Sequence, residues 1–212
     1  MSEIAELSKF EFFKKYLKYT PHDGQELMHN DSTRFKIMAC GTRWGKTLSV
    51  AMELLDAMRL PDTRYWIVAP TLDLTEKVFR EIHSKITTTS LSKYVEKESY
   101  HLKHIKLEWN SEVFGKTADN PISLSGEQLD GIVFDEAATI KEAIWTHYCR
   151  ERLTDRKGWA IFIGTPKGKG WYYRLFLNGQ DPMSKDYKSY HFTSYENPYL
   201  SKAEIDSARG HI

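Results

Sequence analysis

Short apolar runs alternate along the chain with segments whose apolar residues recur every three or four positions. The runs FKIMAC, RYWIVAP, GIVFDEAA and WAIFIGTP, which begin at residues 35, 64, 131 and 159, predict buried strands. The segments SKFEFFKKYLKY, TLSVAMELLDAMRL and DLTEKVFREIHSKI predict helices; Pro21 closes the first, Pro61 stops the second, and Thr71 or Asp73 opens the third. Strands that alternate with helices predict an α/β fold, a mostly parallel sheet with helices on both faces.

Three further segments complete the predicted order of elements. HIKLEWNSEVFGKTA, from residue 104, alternates around an Asn-Ser turn and predicts a hairpin or two short strands. YKSYHFTS, from residue 187, predicts an outer strand, and SKAEIDSARGHI predicts a short terminal helix that begins at Ser201. The sequence contains no internal repeat and no low-complexity tract, so it does not predict a repeat architecture.

Composition narrows the class of protein. The chain has 212 residues, 41% hydrophobic and 28% charged, which is typical of a soluble globular protein with one core. No run approaches the roughly 20 apolar residues that span a bilayer, and the acidic N-terminus is unlike a signal peptide, so we expect a cytosolic protein without membrane contact. Cys40 and Cys149 lack metal-ligand or disulfide spacing. The net charge of +1 implies that any contact with DNA uses a local patch.

A candidate phosphate-binding loop lies between the first predicted strand and the next helix. The sequence ACGTRWGKT, residues 39–47, ends as the motif G-x-x-x-x-G-K-[ST] ends, but Cys40 stands where the first glycine belongs. A chance GKT at a helix start explains the motif taken alone, whereas the flanking strand and helix favour the loop. The candidate nucleotide-binding residues here are Gly41, Thr42, Arg43, Trp44, Gly45, Lys46 and Thr47.

The residue types in this loop suit phosphate chemistry. Gly41 and Gly45 let backbone N–H groups turn toward phosphate oxygens, at a helix N-terminus where the dipole favours anions. Lys46 would reach the β- and γ-phosphates, and the Thr47 hydroxyl would hold Mg²⁺. The loop therefore predicts binding of ATP with Mg²⁺.

Polar residues at the ends of two other predicted strands extend this chemistry. Asp135 ends the strand GIVF, where it can bind the metal, and Glu136 follows as a candidate general base. An Asp-Glu pair in this position is otherwise a helix N-cap. Thr165, after WAIFIG, can sense the γ-phosphate, or it is a simple turn residue before a proline. Upstream, Gln25 can pair with the edge of adenine, or it is an ordinary surface glutamine.

The ordered set CGTRWGKT, YWIVAPT, GIVFDEAA and FIGTPKGKGWYYRLF resembles the ATPase domain of the large terminase subunit of tailed bacteriophages. The resemblance implies a P-loop NTPase fold of the ASCE type. It implies functional roles for Arg43, Lys46 and Thr47 in the loop, for Asp135 and Glu136 as metal-holding and catalytic carboxylates, and for Thr165 in coupling. Terminase loops commonly lack the first glycine and carry an internal arginine, which accounts for Cys40 and Arg43.

Two departures from the family pattern are visible. Ser125 stands where relatives often have an arginine directly before a glycine, so we expect Arg43 to supply the transition-state cation. A surface acid paired with Arg43, or a neighbour's Arg150, Arg152 or Arg156, is the competing interpretation. Large subunits usually continue into a nuclease domain, and after Ile212 no sequence is left to form one. We expect an ATPase core with its adenine-binding segment at 1–180, and a segment leading toward a linker at 181–212.

The resemblance also implies partners and a location. It predicts an ATP-driven motor that moves double-stranded DNA, meets a portal protein and a small terminase subunit, forms a ring during packaging and is a monomer when isolated. It places the protein in the host cytoplasm, docked transiently on the procapsid. A helicase-like DNA-dependent ATPase and a non-hydrolysing nucleotide-binding assembly module stay open as alternatives. The basic clusters Lys167, Lys169, Arg174 and Arg150, Arg152, Arg156, Lys157 are DNA-contacting candidates or solvated faces.

Overall fold

One eight-stranded sheet runs through the structure, a computed structural model that describes residues 3–209, residues 208 and 209 by their backbone only. The strands are β1 Phe35–Cys40, β2 Arg64–Ala69, β3 Val95–Ser99, β4 His104–Leu107, β5 Glu112–Thr117, β6 Gly131–Phe134, β7 Trp159–Gly164 and β8 Tyr187–Phe192. Their order in space is β3-β4-β5-β2-β6-β7-β1-β8. The six strands from β5 to β8 in this order are parallel, and β4 runs antiparallel to both its neighbours.

Seven α-helices accompany the sheet within the described range. They are α1 Glu3–Glu6, α2 Lys9–Phe12, α3 Asp23–His29, α4 Lys46–Ala57, α5 Leu72–Thr87, α6 Trp171–Gln180 and α7 Lys202–Arg209. Short 3-10 and π turns fill much of the segment between β6 and β7. None of the helices described is long and apolar enough to cross a membrane.

Side chains alternate between two apolar cores, one on each face of the sheet. On β1, Met38 and Cys40 join the core beneath α2, α4 and α5, whereas Phe35 and Ile37 join the core on the opposite face. That second core is closed by the turns before β7 and by Tyr172 of α6. A central parallel strand is buried on both faces, which is why FKIMAC is apolar at every position except Lys36. The predicted sheet with helices on both faces is confirmed.

The predicted elements are found with shifted ends. The first helix is α2 continued by a π-helix, Phe13–Leu17, and it stops at Lys18, which has a left-handed φ of 48°. The helix α4 ends at Ala57, before Leu60, and Thr71 rather than Asp73 is the N-cap of α5. The predicted hairpin is β4 and β5, and the predicted outer strand β8 lies at the sheet edge beside β1. The terminal helix is α7, whose predicted last residues, 210–212, lie outside the described residues.

A buried polar network joins the N-terminal helices to the helix that follows the candidate loop. Glu53 of α4 accepts a hydrogen bond at 2.5 Å from His29 of α3 and one at 2.9 Å from Lys9 of α2. The other ring nitrogen of His29 lies 3.0 Å from the Tyr19 hydroxyl. Although burial opposes it, the His29 hydrogen bond and the Lys9 charge lower the pKa of Glu53 to about 2. The His29 hydrogen bond joins α3, which carries Gln25, to α4, and the Lys9–Glu53 ion pair joins α2 to α4.

Candidate functional site

The candidate phosphate loop has the backbone shape that its glycines predict. The strand β1 ends at Cys40 and α4 begins at Lys46, and between them Arg43 and Gly45 have positive φ angles of 58° and 107°. A Cβ atom on Gly45 would lie 2.6 Å from the side-chain nitrogen of Gln25, so only glycine fits. No side chain caps α4, and the first N–H groups of a helix have no partner within it. The loop therefore presents donors suited to an anion.

The Lys46 ammonium group lies against its own loop. It donates hydrogen bonds of 2.8 Å to the Cys40 carbonyl and 2.7 Å to the Gly41 carbonyl. Burial lowers the pKa of Lys46. Among the residues that the structure describes, the hydrogen-bond partners of Lys46 are these two carbonyl groups, which a phosphate with its full opposite charge could replace.

Asp135 is a buried carboxylate with one oxygen left open. It follows β6 and is 4% exposed, and its Oδ1 accepts the N–H of Glu136 at 2.9 Å. Its Oδ2 has no hydrogen-bond partner within the part of the chain that the structure describes. Burial, followed by the negative charge of Glu136, raises the pKa of Asp135 to about 6. An unpartnered buried oxygen of this kind suits a hydrated divalent cation, which would favour the ionised form.

Glu136 is held by a lysine from another element. Its backbone has a left-handed φ of 51°, and its carboxylate lies 3.2 Å from the ammonium group of Lys77 on α5. Both side chains are partly exposed, so the ion pair contributes little stability and can open. Sequence reasoning missed Lys77, because it lies 59 positions from Glu136 and belongs to no motif.

The order of the strands brings the predicted catalytic residues to one edge of the sheet. Strand β7 lies between β1, which leads to the phosphate loop, and β6, which leads to Asp135 and Glu136. Thr165 follows the last residue of β7, whose neighbour in β1 is Ala39. Carboxyl ends of parallel strands meet at the same edge, so the loop, the two carboxylates and Thr165 lie at one edge of the sheet.

A cavity of about 410 Å³ lies beside the loop, lined among others by Tyr19, Gln25, Gly45, Asn197 and Tyr199. The structure places Gln25 against the loop but with its amide engaged. Its oxygen accepts the His22 N–H at 3.1 Å, and its nitrogen donates to the Gly45 carbonyl at 3.3 Å. It is 3% exposed, so the interpretation as an ordinary surface glutamine is wrong.

Trp44 lies in the core rather than on the open side of the loop. The residue is fully buried, and its ring stacks on Phe192 with centroids 4.7 Å apart. Its ring is therefore not available to stack on a nucleotide. Its role is to anchor the loop to the strand β8.

The end of β8 and the segment that follows it form hydrogen bonds with the loop backbone. The Gly41 N–H donates to the Phe192 carbonyl at 2.8 Å, and the Ser194 hydroxyl donates to the Thr42 carbonyl at 2.8 Å. The Asn197 amide donates to the Arg43 carbonyl at 2.7 Å. Sequence reasoning took this segment to lead toward a linker and assigned it no role at the loop, because side-chain bonds to backbone leave no spacing pattern.

The arginines considered as sources of the transition-state cation have different surroundings in the structure. Arg43 is exposed, and its guanidinium group has no ion pair among the residues described, so its pairing with a surface acid is wrong. By contrast, Arg156 pairs with Asp130 at 2.9 Å, at the opposite edge of the sheet from the loop. Arg150 stacks over Phe35, the first residue of β1, with 4.9 Å to the ring centroid.

The strand order, the glycine-bordered loop and the carboxylate pair define a P-loop NTPase fold of the ASCE type. The chain belongs to the phage terminase large subunit family, which it matches over residues 32–211. It is 28% identical over 214 residues to the large terminase subunit of Thermus phage G20c, a match that covers 87% of this chain and 44% of that protein. The chain thus spans less than half the length of this relative.

Solved structures agree with this assignment. The large terminase ATPase domain of Thermus phage P74-26 superposes with a TM-score of 0.83 at 27% identity, over 95% of this chain and 92% of that one. The large terminase of bacteriophage D6E, solved in complex with ADP, superposes with a TM-score of 0.72 at 17% identity, over 89% of this chain and 50% of that one. The second likeness concerns the fold alone.

Proposed function

We propose that this chain hydrolyses ATP with Mg²⁺ and uses the energy to move double-stranded DNA into a procapsid. The observation that carries the proposal is the meeting of the Lys46 loop and the Asp135–Glu136 pair at one edge of the sheet. A loop that binds phosphate beside a buried carboxylate and a partly exposed one is an arrangement for phosphoryl transfer to water. Membership of the terminase family supports the coupling to DNA packaging.

The metal site of this proposal consists of Thr47 and Asp135. The open Oδ2 atom of Asp135 and the hydroxyl at the start of α4 are oxygen donors, the type that Mg²⁺ prefers. Bound Mg²⁺ would neutralise charge that builds on the phosphate oxygens. Burial of Asp135 keeps competing water away from its carboxylate.

Glu136 is the general base of the proposed reaction. Its carboxylate directly follows the proposed metal ligand Asp135, and Lys77 holds it at 3.2 Å, where it could accept a proton from the attacking water. Thr165, at the end of the strand between loop and carboxylates, is the proposed sensor of the γ-phosphate.

The proposed partners follow from the family. The chain would act in the host cytoplasm, dock transiently on the procapsid, contact the portal protein and the small terminase subunit, and form a ring there while remaining a monomer in isolation. We propose residues 1–180 as the ATPase core and 181–212 as a segment leading toward a linker. The second range supplies the edge strand β8 and the bonds to the loop, so it also supports the nucleotide site.

Phosphate release by the purified chain tests the proposed activity against its alternatives. We expect slow ATP turnover that requires Mg²⁺ and rises when the chain assembles on procapsids with DNA. Binding of ATP without any turnover, in isolation and in the assembly, would identify a non-hydrolysing assembly module. Turnover stimulated by DNA without any uptake of DNA into procapsids would identify the helicase-like alternative.

Arg43 is the proposed source of the transition-state cation within its own subunit. Ser125 cannot supply a positive charge, whereas the guanidinium group of Arg43 forms no ion pair within residues 3–207 and suits phosphate oxygens. The Arg43→Ala variant should lose about 10³- to 10⁵-fold in ATP turnover, the usual contribution of such an arginine. Turnover under DNA-packaging conditions measures this.

Mixing subunits separates action within a subunit from action on a neighbour. Arg43→Ala subunits are combined with Glu136→Ala subunits, each inactive alone. If Arg43 serves its own site, no site in the mixed ring has both groups and activity stays lost. Recovery of activity in this mixture would show that Arg43 acts on the neighbouring subunit. Recovery only with an Arg150, Arg152 or Arg156 variant would assign the cation to that residue instead.

A further inference from the structure

Tyr199 is an exposed aromatic residue at the rim of the cavity beside the phosphate loop. It is 74% exposed and lines that cavity together with Gln25 and Gly45. A cavity of about 410 Å³ is within the size range of small-ligand sites. The apolar face of an exposed tyrosine is removed from water only when another group covers it. The place of Tyr199 at the mouth of the cavity therefore points to a flat ligand.

One side chain connects Tyr199 to the loop. The Asn197 amide nitrogen donates to the Arg43 carbonyl at 2.7 Å, and its oxygen accepts the Tyr199 N–H at 2.9 Å. Ser194 adds a second bond to the loop through the Thr42 carbonyl at 2.8 Å. The Tyr199 backbone is therefore connected to the phosphate loop through the side chain of Asn197.

Gln25 has little hydrogen-bonding capacity left for a base in this cavity. The Gln25 amide already has a partner at each end, His22 and Gly45, so reading a base edge would use only its second hydrogen and second lone pair. An aromatic ring has no such restriction, since every nucleobase presents a flat π-face.

We propose that Tyr199 stacks on the nucleobase of the bound nucleotide and forms the outer wall of the base subsite. This inference rests on the proposed nucleotide site at the loop and adds a base-binding residue from the segment after β8. Because stacking tolerates different bases, Tyr199 contributes affinity for purine nucleotides in general and little discrimination between adenine and guanine.

Calorimetric binding of ADP, GDP and inorganic tripolyphosphate, each with Mg²⁺, tests the proposal. Stacking on one base corresponds to about a 5- to 150-fold change in Kd. The Tyr199→Ala variant should lose affinity for ADP and for GDP by a factor in this range, with tripolyphosphate binding unchanged. Tyr199→Phe, which keeps the ring, should bind all three ligands within about twofold of the unsubstituted chain.

The controls separate the possible failures. Met183→Ala removes another highly exposed side chain, 82% exposed, and should leave binding of all three ligands unchanged. ADP affinity that is unaltered in Tyr199→Ala would overturn the proposal. An equal loss of tripolyphosphate and ADP affinity would also overturn it, since Tyr199 would then act by supporting the loop. An unsubstituted chain that binds none of the three ligands would contradict the proposed nucleotide site itself.

Discussion

The Lys46→Ala variant is expected to lose nucleotide binding or ATP hydrolysis. In the structure the ammonium group bonds two loop carbonyls, and phosphate oxygens would replace these neutral acceptors with charged ones. Loss of two charge-assisted hydrogen bonds, of roughly 1.5 to 3 kcal/mol each, corresponds to a decrease in ATP affinity of at least about a hundredfold. Calorimetric ATP binding and phosphate release measure the two effects separately.

A matched lysine serves as the control for this variant. Lys106 lies on β4 and pairs with Glu96, away from the loop, so Lys106→Ala should bind and hydrolyse ATP as the unsubstituted chain does. A Lys46→Ala chain that hydrolyses ATP at the unsubstituted rate would show that the site lies elsewhere.

The Glu136→Ala variant is expected to keep its ATP affinity and to lose turnover by at least about a hundredfold. The reason is that Glu136 holds neither phosphate nor metal in the ground state; its observed partner is Lys77, at 3.2 Å. A group that acts only on the attacking water contributes to kcat and not to binding. Equilibrium ATP binding, measured beside the rate of phosphate release, separates these effects.

Glu142 provides the control, since it also lies in the segment between β6 and β7 but pairs with Arg174. Glu142→Ala should retain both affinity and turnover. If Glu136→Ala instead lost affinity while its turnover stayed unchanged, Glu136 would be a ligand of the ground state and the base would have to be another group.

The sequence predicted the strands and the helix at the carboxyl edge of the sheet well, because each element is encoded locally. An apolar run followed by glycines and Lys46 predicts strand, loop and helix, and the structure has β1, the loop and α4 in that order. Likewise, the apolar run before Asp135 is the buried strand β6. Parallel strands then bring these two ends together without further information from the chain.

The missed elements have weaker local signals. The strand β3, VEKES, has exposed charged residues and no buried face, so its hydrophobic pattern is absent and only pairing with β4 makes it a strand. The helix α3 has seven residues, too few for a clear period. The helix α6 follows a glycine that provides no side-chain cap, so its start is unmarked although it packs Tyr172 into the core.

The site residues that sequence reasoning missed or misplaced depend on contacts between distant segments. Lys77 reaches Glu136 from α5, and Asn197 reaches the loop from beyond β8. Trp44 belongs to the loop by position but packs on Phe192, a contact that requires β8 beside β1. None of these pairings follows from spacing along the chain.

A structure of the chain with Mg²⁺ and a non-hydrolysable ATP analogue tests the central claim most directly. The account predicts that the β- and γ-phosphates lie at the backbone of residues 41–47, with Lys46 moved from the Cys40 and Gly41 carbonyls onto phosphate oxygens. It predicts the metal between the Thr47 hydroxyl and Asp135, at about 2.1 Å from its direct oxygen ligands. Phosphates bound elsewhere, or a loop that keeps Lys46 on its carbonyls with the analogue present, would contradict it.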